Sequence, residues 1–237
     1  MKTFLKANWQ NIIMANYKID VHILLPYLPK GVELDLYEGE CYVSLVGFLF
    51  KDSVIFNTPI PFLGTFEEVN LRFYVIRKVD NEKRRGVVFI NETVPNKIVA
   101  GVANLLYKEH YISVPTRHDW TFANDIKEIC YQWKVNSKWN TIKVKALTNY
   151  MPISTKSMEE YIFEHYYGYT KVNDFQSIEY KVNHPTWHVN TILDYEITCD
   201  FNAFYGPDFE ILNHTKPHSV MIAEGSDVEI DWKRIRF

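Results

Sequence analysis

The sequence predicts a mainly β (α+β) fold, with a barrel-like antiparallel core and about three or four short helices inserted between strands. Three observations support this prediction. Many short segments alternate apolar and polar residues, turn-forming residues separate neighbouring segments, and helical spacing occurs only in brief stretches. With 47% hydrophobic residues, including 16 Tyr and 15 Phe, the chain has ample material for a large core. No linker interrupts the 237 residues, so we expect a single domain over residues 1–237.

The first segments predict a strand, a short helix and a second strand. Alternation over residues 9–19 predicts the first strand. Asp20 then begins a short helix through VHILLPYL, which Pro29 and Gly31 end. The run CYVSLVGFLF at residues 41–50 is almost continuously apolar and has the length of a strand. We therefore expect both faces of this strand to be covered.

A hairpin and a helix are predicted next. The proline-rich loop NTPIPFLG leads into FEEVNLRFYVIRKV, which DNEKRRG connects to GVVFINETV as a hairpin. In the following PNKIVAGVANLLYKEHY, Ile98, Val102 and the pair of Leu105 and Leu106 recur at helical spacing. Pro95 stands at the start of this helix, where its missing N–H group costs nothing.

The second half of the chain predicts more strands around one further helix. EICYQWKV and TIKVKAL alternate on either side of an SKWN turn and form another hairpin. Ser157 and Glu160 have the spacing of a capping box for a helix over MEEYIFEHYY, and Gly168 closes that helix. The remaining segments are two strands, SIEYKV and WHVNTILDYEI, a compact FNAFYGPDFEIL segment and a final strand, AEGSDVEIDW.

Charge and hydropathy argue against nucleic-acid and membrane partners. The formal net charge is -3, and the basic residues are scattered apart from Lys83, Arg84 and Arg85 in a predicted turn. The chain therefore has no continuous basic face of the kind that nucleic acid selects. No apolar run has the length of a signal peptide or of the roughly 18 residues that span a bilayer, so we expect a cytoplasmic protein without membrane contact.

Metal and nucleotide cofactors are not expected. The pairs His184/His188 and His214/His218 have the i, i+4 spacing of helical metal sites, but a proline interrupts each pair and the surroundings predict strand or loop. The chain has no GxGxxG, GxxxxGK[ST] or GxSxG motif. The cysteines are odd in number, far apart and without CxxC spacing, which favours buried or half-buried thiols. They are Cys41, Cys130 and Cys199.

The strand FEEVNLRFYV carries the strongest candidate site. One parity is apolar, and the other holds Glu68, Asn70, Arg72 and Tyr74. If this second face lines an enclosed cavity, its carboxylate and guanidinium form a charge-assisted pair that is suited to a ligand carboxylate or carbonyl. Lys97, in the first turn of the predicted helix, then faces the same cavity. The alternative is a polar strand face and a lysine that are both solvated, and spacing alone leaves both interpretations open.

Several motifs together resemble a known family. In chain order they are LPKGVELDLYEGECYVSLVGF, FEEVNLRFYV, SMEEYIFEHYYGYT, HPTWHVN, FNAFYGPDF and KPHSVMIAEGSDVEIDW. From about residue 9 to residue 232 the chain resembles the YqjF-like family of uncharacterised bacterial proteins, a domain of unknown function numbered 2071. That family is thought to be related to acetoacetate decarboxylase. The resemblance therefore implies a single antiparallel β-barrel of that type with short flanking helices, and it places the polar face of FEEVNLRFYV inside the barrel.

The resemblance also implies where a reactive amine would lie. In acetoacetate decarboxylase the amine lies in a Pro-Lys-Lys step after a Glu-containing strand, and a neighbouring cation lowers its pKa so that it forms a Schiff base with a keto acid. Here Pro95, Asn96 and Lys97 follow Glu92, and Glu68 matches a pocket carboxylate. Because the carboxamide of Asn96 does not form an imine, the family mechanism is not supported unless Lys97 takes over.

Three functions stay open at this point. The first is a small-molecule-binding barrel, acting as a binder or as an enzyme, with a polar interior pocket for a small carboxylate or carbonyl ligand. The residues expected to line that pocket are Glu68, Asn70, Arg72, Glu92, Asn96 and Lys97. The second is a Schiff-base enzyme that acts on a keto acid through Lys97. The third is a non-catalytic dimerising or scaffold protein, in which the many aromatic residues form an interface.

Overall fold

The computed structural model describes residues 3–59 and 64–237, which form one sheet with four α-helices and two 3₁₀ turns. The strands are β1 (Thr3–Ile19), β2 (Glu33–Leu34), β3 (Cys41–Ile55), β4 (Thr58–Pro59), β5 (Phe66–Val79), β6 (Glu82–Val94), β7 (Tyr111–Ser113), β8 (Thr116–Ala123), β9 (Ile126–Val135), β10 (Lys138–Pro152), β11 (Tyr167–Asn173), β12 (Gln176–Asn183), β13 (His188–Thr198) and β14 (Ser219–Arg236). The helices are α1 (Val21–Leu24), α2 (Lys97–Tyr107), α3 (Met158–Phe163) and α4 (Phe201–Tyr205), and the 3₁₀ turns are Leu25–Tyr27 and Pro207–His214. Within the described ranges, no helix has the length and apolar character that crossing a bilayer requires.

Hydrogen bonding joins the strands in the order β1-β3-β5-β6-β11-β12-β14-β13-β10-β9-β8, and β14 also pairs with β1. The short strands β2, β4 and β7 pair with β5, β3 and β6. The antiparallel arrangement predicted from the sequence is confirmed for most pairs, but β6 runs parallel to both β7 and β11. Because β14 is long, it contacts β1, β12 and β13 along different parts of its length.

The two predicted hairpins are confirmed. Strands β5 and β6 are antiparallel neighbours joined at Asp80 and Asn81, so the turn is shorter than predicted, and Lys83, Arg84 and Arg85 lie in β6. Strands β9 and β10 are joined at Asn136 and Ser137, whose φ angles are 47° and 66°. Two positive φ angles in a two-residue connection give the turn a twist that matches the twist of the flanking strands.

The predicted opening of the chain is also confirmed. The side chain of Asp20 caps α1 by accepting a hydrogen bond from the backbone N–H of His22 at 2.8 Å. Residues 41–50 of β3 are all buried, as expected for a strand covered on both faces. Residues 60–63 of the predicted proline-rich loop lie outside the described residues.

Gly168 corrects the predicted end of the second helix. The helix α3 ends at Phe163, and Gly168 lies in β11 rather than at a helix terminus. A Cβ atom at this position would lie 2.1 Å from Cζ of Tyr180, which is on the neighbouring strand β12. The glycine is therefore needed for the close approach of a tyrosine ring to the strand backbone.

The helix α2 corrects the prediction of which face is buried. Ile98 and Leu105, which define the apolar stripe in the sequence, are 65% and 70% exposed. Tyr107 is the anchor instead, with its ring centroid 5.3 Å from that of Phe4 and 4.9 Å from that of Tyr180. The helix therefore packs through its last turn, and much of the apolar stripe is left facing outward.

Both faces of β5 are buried, which decides between the two interpretations of its polar face. Leu71 and Phe73 belong to a core cluster that includes Tyr131 of β9. Tyr74, on the opposite face, belongs to a second cluster on the other side of the sheet. The acid and the amide on this face are therefore buried in the protein, and the guanidinium of Arg72 beside them is half-buried.

Candidate functional site

The polar face of β5 borders an inner cavity of about 60 Å³. Glu68 and Asn70 are 3% and 1% exposed, and the amide Nδ2 of Asn70 donates a hydrogen bond to Oε1 of Glu68 at 3.0 Å. Arg72 lies two residues further along the same face and also borders the cavity. Alternation along one strand thus places all three side chains on a single wall.

Four polar atoms of the inner cavity are buried without a hydrogen-bond partner among the described residues. They are Oδ1 of Asn70, Nε of Arg72, Oε2 of Glu92 and Nδ1 of His165, and all four residues line the cavity. Buried polar groups in folded proteins are nearly always paired with protein or ordered water. Unpaired acceptors on Asn70 and His165, an unpaired donor on Arg72 and an unpaired carboxyl oxygen on Glu92 around one space therefore indicate a site for a small polar molecule.

Arg72 is the cationic group of this cavity. Its Nη2 donates to the thioether sulfur of Met14 at 3.4 Å, and its guanidinium lies 5.8 Å from the centroid of the Tyr74 ring. Among the described residues, no carboxylate lies within ion-pair distance of Arg72. A thioether is a weak acceptor for a guanidinium. The charge of Arg72 is therefore available for an anionic ligand group.

Two buried carboxyl groups, those of Glu68 and Glu92, line the inner cavity, and a third, that of Glu109, lies close enough to act on Glu92. Burial raises the pKa of Glu68 to about 7, against the hydrogen bonds from Asn70 and Tyr111 and the charge of Arg72. Burial, and then the charges of Glu109 and Glu68, raise the pKa of Glu92 well above its ordinary value. Burial also raises the pKa of Glu109 to about 7. Near neutral pH these carboxyl groups carry protons for part or all of the time, and a protonated carboxyl donates a hydrogen bond.

His165 borders the cavity as a neutral ring. Its Nε2 lies 3.2 Å from Oδ2 of Asp35, and Nε of Arg85 donates to the same oxygen at 2.7 Å. Although burial favours the protonated acid, hydrogen bonds from His165 and Arg85 lower the pKa of Asp35. Burial lowers the pKa of His165 to about 4. With Nε2–H donated to Asp35, the unpaired Nδ1 presents a lone pair and accepts hydrogen bonds.

A second, outer cavity of about 160 Å³ adjoins the inner one. The two cavities share Phe50, Glu68, Tyr111, Tyr180 and Ile230 in their walls. The hydroxyl of Tyr111 donates to Oε2 of Glu68 at 3.2 Å, and the hydroxyl of Tyr180 donates to Oε1 of Glu109 at 2.9 Å. Glu68, Tyr111 and Tyr180 thus lie where the two spaces meet, whereas Ser53 and Glu109 border the outer cavity alone.

The structure brings four of the six predicted site residues together. Glu68, Asn70, Arg72 and Glu92 line the inner cavity. Asn96 does not, because its side chain caps α2 and accepts hydrogen bonds from the backbone N–H groups of the second and third residues after it, the nearer at 2.7 Å. The placement predicted for Lys97 is also corrected, since this residue is exposed at the first position of α2 and borders neither cavity.

Sequence reasoning missed four residues of the site, namely Glu109, Tyr111, His165 and Tyr180. In the sequence, each of these residues lies in a segment with the ordinary pattern of a helix end or a strand. In the structure, Glu109 and Tyr111 follow α2, and His165 follows α3. A weak signal was present at Glu109, because an acidic residue just after the last turn of a helix is unfavourable for the helix dipole. The other three carry no local signal.

His184, which also lines the inner cavity, and His188 have structural partners. The ring of His184 stacks on that of Trp187 at 4.1 Å, and Nδ1 of His188 lies 2.8 Å from Glu224. Among the described residues, no group of three or more histidine, cysteine or acidic side chains is arranged to bind a metal ion. The cysteines are free thiols, one buried and two half-buried, and burial raises the pKa of each: Cys41, Cys130 and Cys199.

Comparison with known proteins yields one family and one fold. The model of the family DUF2071, described as an uncharacterized conserved protein, matches residues 6–227. The uncharacterized protein YqjF of Bacillus subtilis strain 168 is 24% identical over 207 residues, which are 80% of each chain.

Solved structures with the same fold are acetoacetate decarboxylase-like. Acetoacetate decarboxylase from Legionella pneumophila superposes with a TM-score of 0.64 at 12% identity, covering 96% of this chain and 85% of that one. An acetoacetate decarboxylase-like enzyme from Sphingomonas wittichii RW1 gives 0.66 at 9% identity, covering 100% and 94%. The enduracididine biosynthesis enzyme MppR, complexed with pyruvate, gives 0.65 at 9% identity, covering 100% and 91%. The resemblance inferred from the sequence motifs is thereby confirmed at the level of family and fold.

Proposed function

The chain belongs to the DUF2071 family, and within its acetoacetate decarboxylase-like fold we propose that the inner cavity binds a small carboxylate or carbonyl compound through Arg72. The observation that carries this proposal is a half-buried guanidinium that borders a cavity and has an unpaired Nε and no carboxylate partner among the described residues. Arginine binds carboxylates through two parallel N–H groups, which makes it suited to this ligand class.

We further propose that the strands close into a barrel around the inner cavity. Seven strands form a ring of pairings, β1-β3-β5-β6-β11-β12-β14, because β14 pairs back to β1. Each of these strands contributes a residue to the inner cavity: Trp9, Phe48, Arg72, Glu92, Gly168, Tyr180 and Ile230. A cavity lined from every strand of a ring is what the interior of a small barrel provides. The ligand would therefore lie inside the ring.

The protonation of the acids supports an anionic ligand. A negative group beside ionised Glu68 and Glu92 would be repelled, whereas protonated carboxyls donate hydrogen bonds to its oxygens. Burial raises the pKa of Glu68 to about 7 and that of Glu92 well above its ordinary value, and both shifts favour the protonated forms. The pyruvate complex of MppR, a protein of the same fold, is one example of a small keto acid bound by this architecture.

Binding is favoured over imine chemistry for two reasons. Lys97 is exposed and borders neither cavity, and no lysine is found among the described residues that line them. The buried Lys127 donates to Oδ1 of Asn11 at 3.0 Å and also borders neither cavity. Imine formation needs an amine within reach of the bound carbonyl.

Calorimetric titration with pyruvate and with acetoacetate tests the proposal. We expect saturable binding that weakens by about tenfold or more in Arg72→Met, since a hydrogen bond to a charged group is worth about 1.5–3 kcal/mol. Arg72→Lys keeps the charge but not the planar guanidinium, so its affinity is expected to lie between those of the unmodified protein and Arg72→Met. The exposed Arg117 supplies the matched control, Arg117→Met.

The test compares the ligand affinity of Arg72→Met with that of the control Arg117→Met. Thermal unfolding of each variant establishes that the fold is intact. Equal affinities of Arg72→Met and Arg117→Met, or no binding of either compound by the unmodified protein, would contradict the proposal.

A further inference from the structure

We propose that the ligand is amphipathic, with its carboxylate or carbonyl head at Arg72 and an apolar tail in the outer cavity beneath α2. This inference rests on the proposed function, since the head occupies the inner cavity defined above. It adds the ligand class: a compound with an alkyl or aryl tail of several carbons rather than a two- or three-carbon acid.

The walls of the outer cavity are mostly apolar, with Ser53, Glu68 and Glu109 as exceptions, and come from separate parts of the chain. Phe4 belongs to β1, Ile55 to β3 and Phe66 to β5, while Val99 and Ala103 come from α2. The cavity of about 160 Å³ is larger than the inner one of about 60 Å³. An apolar cavity of this size gives water few hydrogen-bond partners, so an apolar group is the favoured occupant.

The two cavities meet at a polar junction. Glu68 borders both, with Oε1 bonded to Asn70 on the inner side and Oε2 bonded to Tyr111. The rings of Tyr111 and Tyr180 also border both cavities. A molecule that extends from Arg72 past this junction would have one end in polar surroundings and the other in apolar surroundings. An amphipathic ligand fits such a site.

The helix α2 forms the outer wall and the entrance of the tail cavity. Val102, 36% exposed, and Ile98 border the cavity and also face outward. The inward-facing Val99 and Ala103 lie on the same helix. This arrangement explains why the apolar stripe of α2 is not buried in the core: part of the stripe borders a space that a ligand would fill.

Affinities for a series of straight-chain 2-oxo acids test the inference. The probes are pyruvate, 2-oxobutanoate, 2-oxohexanoate and 2-oxooctanoate, measured by calorimetry. We expect the affinity to rise by about threefold to fourfold for each methylene buried, up to the length that fills the outer cavity.

Two variants of α2 provide the structural control. Ala103→Trp fills the outer cavity and is expected to abolish the rise with chain length while leaving pyruvate binding within about twofold of the unmodified protein. Leu105, 70% exposed and outside the cavity lining, supplies the matched change Leu105→Trp, which is expected to keep the full rise.

The outcomes separate the two proposals. Pyruvate binding with no gain for longer acids overturns the amphipathic ligand and leaves the proposed function intact. Absence of binding across the whole series contradicts the proposed function itself. Retention of the chain-length gain in Ala103→Trp, or loss of pyruvate binding in that variant with its fold intact, places the tail elsewhere and also overturns the inference.

Discussion

At the scale of single residues, Gly168 determines how closely β11 and β12 approach beside the cavity. Tyr180 lies against its backbone, and a Cβ atom there would be 2.1 Å from the tyrosine Cζ and 2.4 Å from the hydroxyl oxygen. The same hydroxyl donates to Glu109 at the junction of the two cavities. Moving the ring would therefore disturb both the packing and a buried hydrogen bond.

We expect Gly168→Ala to lower the free energy of unfolding by about 1–3 kcal/mol, the typical cost of forcing extra atoms into a packed interior. Urea unfolding measures this change. A Cβ atom at Gly101, in α2, would have no heavy atom within 4 Å, so Gly101→Ala is the matched control. The control is expected to stabilise the protein by up to about 1 kcal/mol, because alanine favours helix. Equal stability of the two variants would contradict this account of Gly168.

At the scale of elements, α2 begins with a specific side-chain cap. Asn96 accepts hydrogen bonds from the backbone N–H groups of Ile98 and Val99. An asparagine at this position satisfies helix N–H groups that would otherwise be unpaired. The role that the structure shows for Asn96 is therefore to cap α2.

Asn96→Ala is expected to destabilise the protein by about 1 kcal/mol, the usual value of an N-cap. Lys97→Ala, at an exposed helix position, is expected to change stability by less than about 0.5 kcal/mol. Thermal unfolding of both variants in parallel measures the difference. A larger effect for Lys97→Ala than for Asn96→Ala would show that the lysine makes an interaction that the structure does not contain.

The elements were predictable where side-chain periodicity and turn chemistry agree. The hairpin from β5 to β6 follows from alternating residues on both sides of a polar turn, and the structure has it at the predicted place. The strand β11 was missed because its glycine, Gly168, resembles a helix end in the sequence. Only the distant Tyr180 explains that glycine, and local patterns do not contain this information.

At the scale of the whole molecule, the enclosed acids link stability to pH. Burial raises the pKa values of Glu68 and Glu109 from their ordinary value near 4.5 to about 7. Between these values the folded protein binds more protons than the unfolded chain. The stabilising contribution of these groups is therefore fully present below about pH 4.5 and is lost as pH rises through about 7.

We expect the free energy of unfolding to fall as pH increases from about 5 to 8, with each such group contributing up to about 1.4 kcal/mol per pH unit. Glu68→Gln is expected to reduce this slope, because the amide does not titrate. The exposed Glu210 supplies the control Glu210→Gln, which should leave the slope unchanged. Urea unfolding across this pH range measures both variants, and an unchanged slope in Glu68→Gln would contradict the raised pKa.

The candidate site was predictable only where its residues share one strand. Glu68, Asn70 and Arg72 stand out because alternation places them on one face, and Glu92 lies opposite Asn70 in the register of β5 and β6. Their enclosure follows from the ring of strand pairings, which depends on β14 returning to β1 more than 200 residues later in the chain. Contacts of that sequence separation leave no periodic signal.

The strand β8 stands at one end of the strand order, with β9 as its only named partner strand in the described part of the sheet. A strand of this kind offers its free backbone groups to any other chain that can add to the edge. Arg117 and Asp119, both exposed, place charges of opposite sign along β8, and His118 is exposed between them. Self-association through β8 would bury these charges, so the edge that could seed aggregation also carries the residues that oppose it.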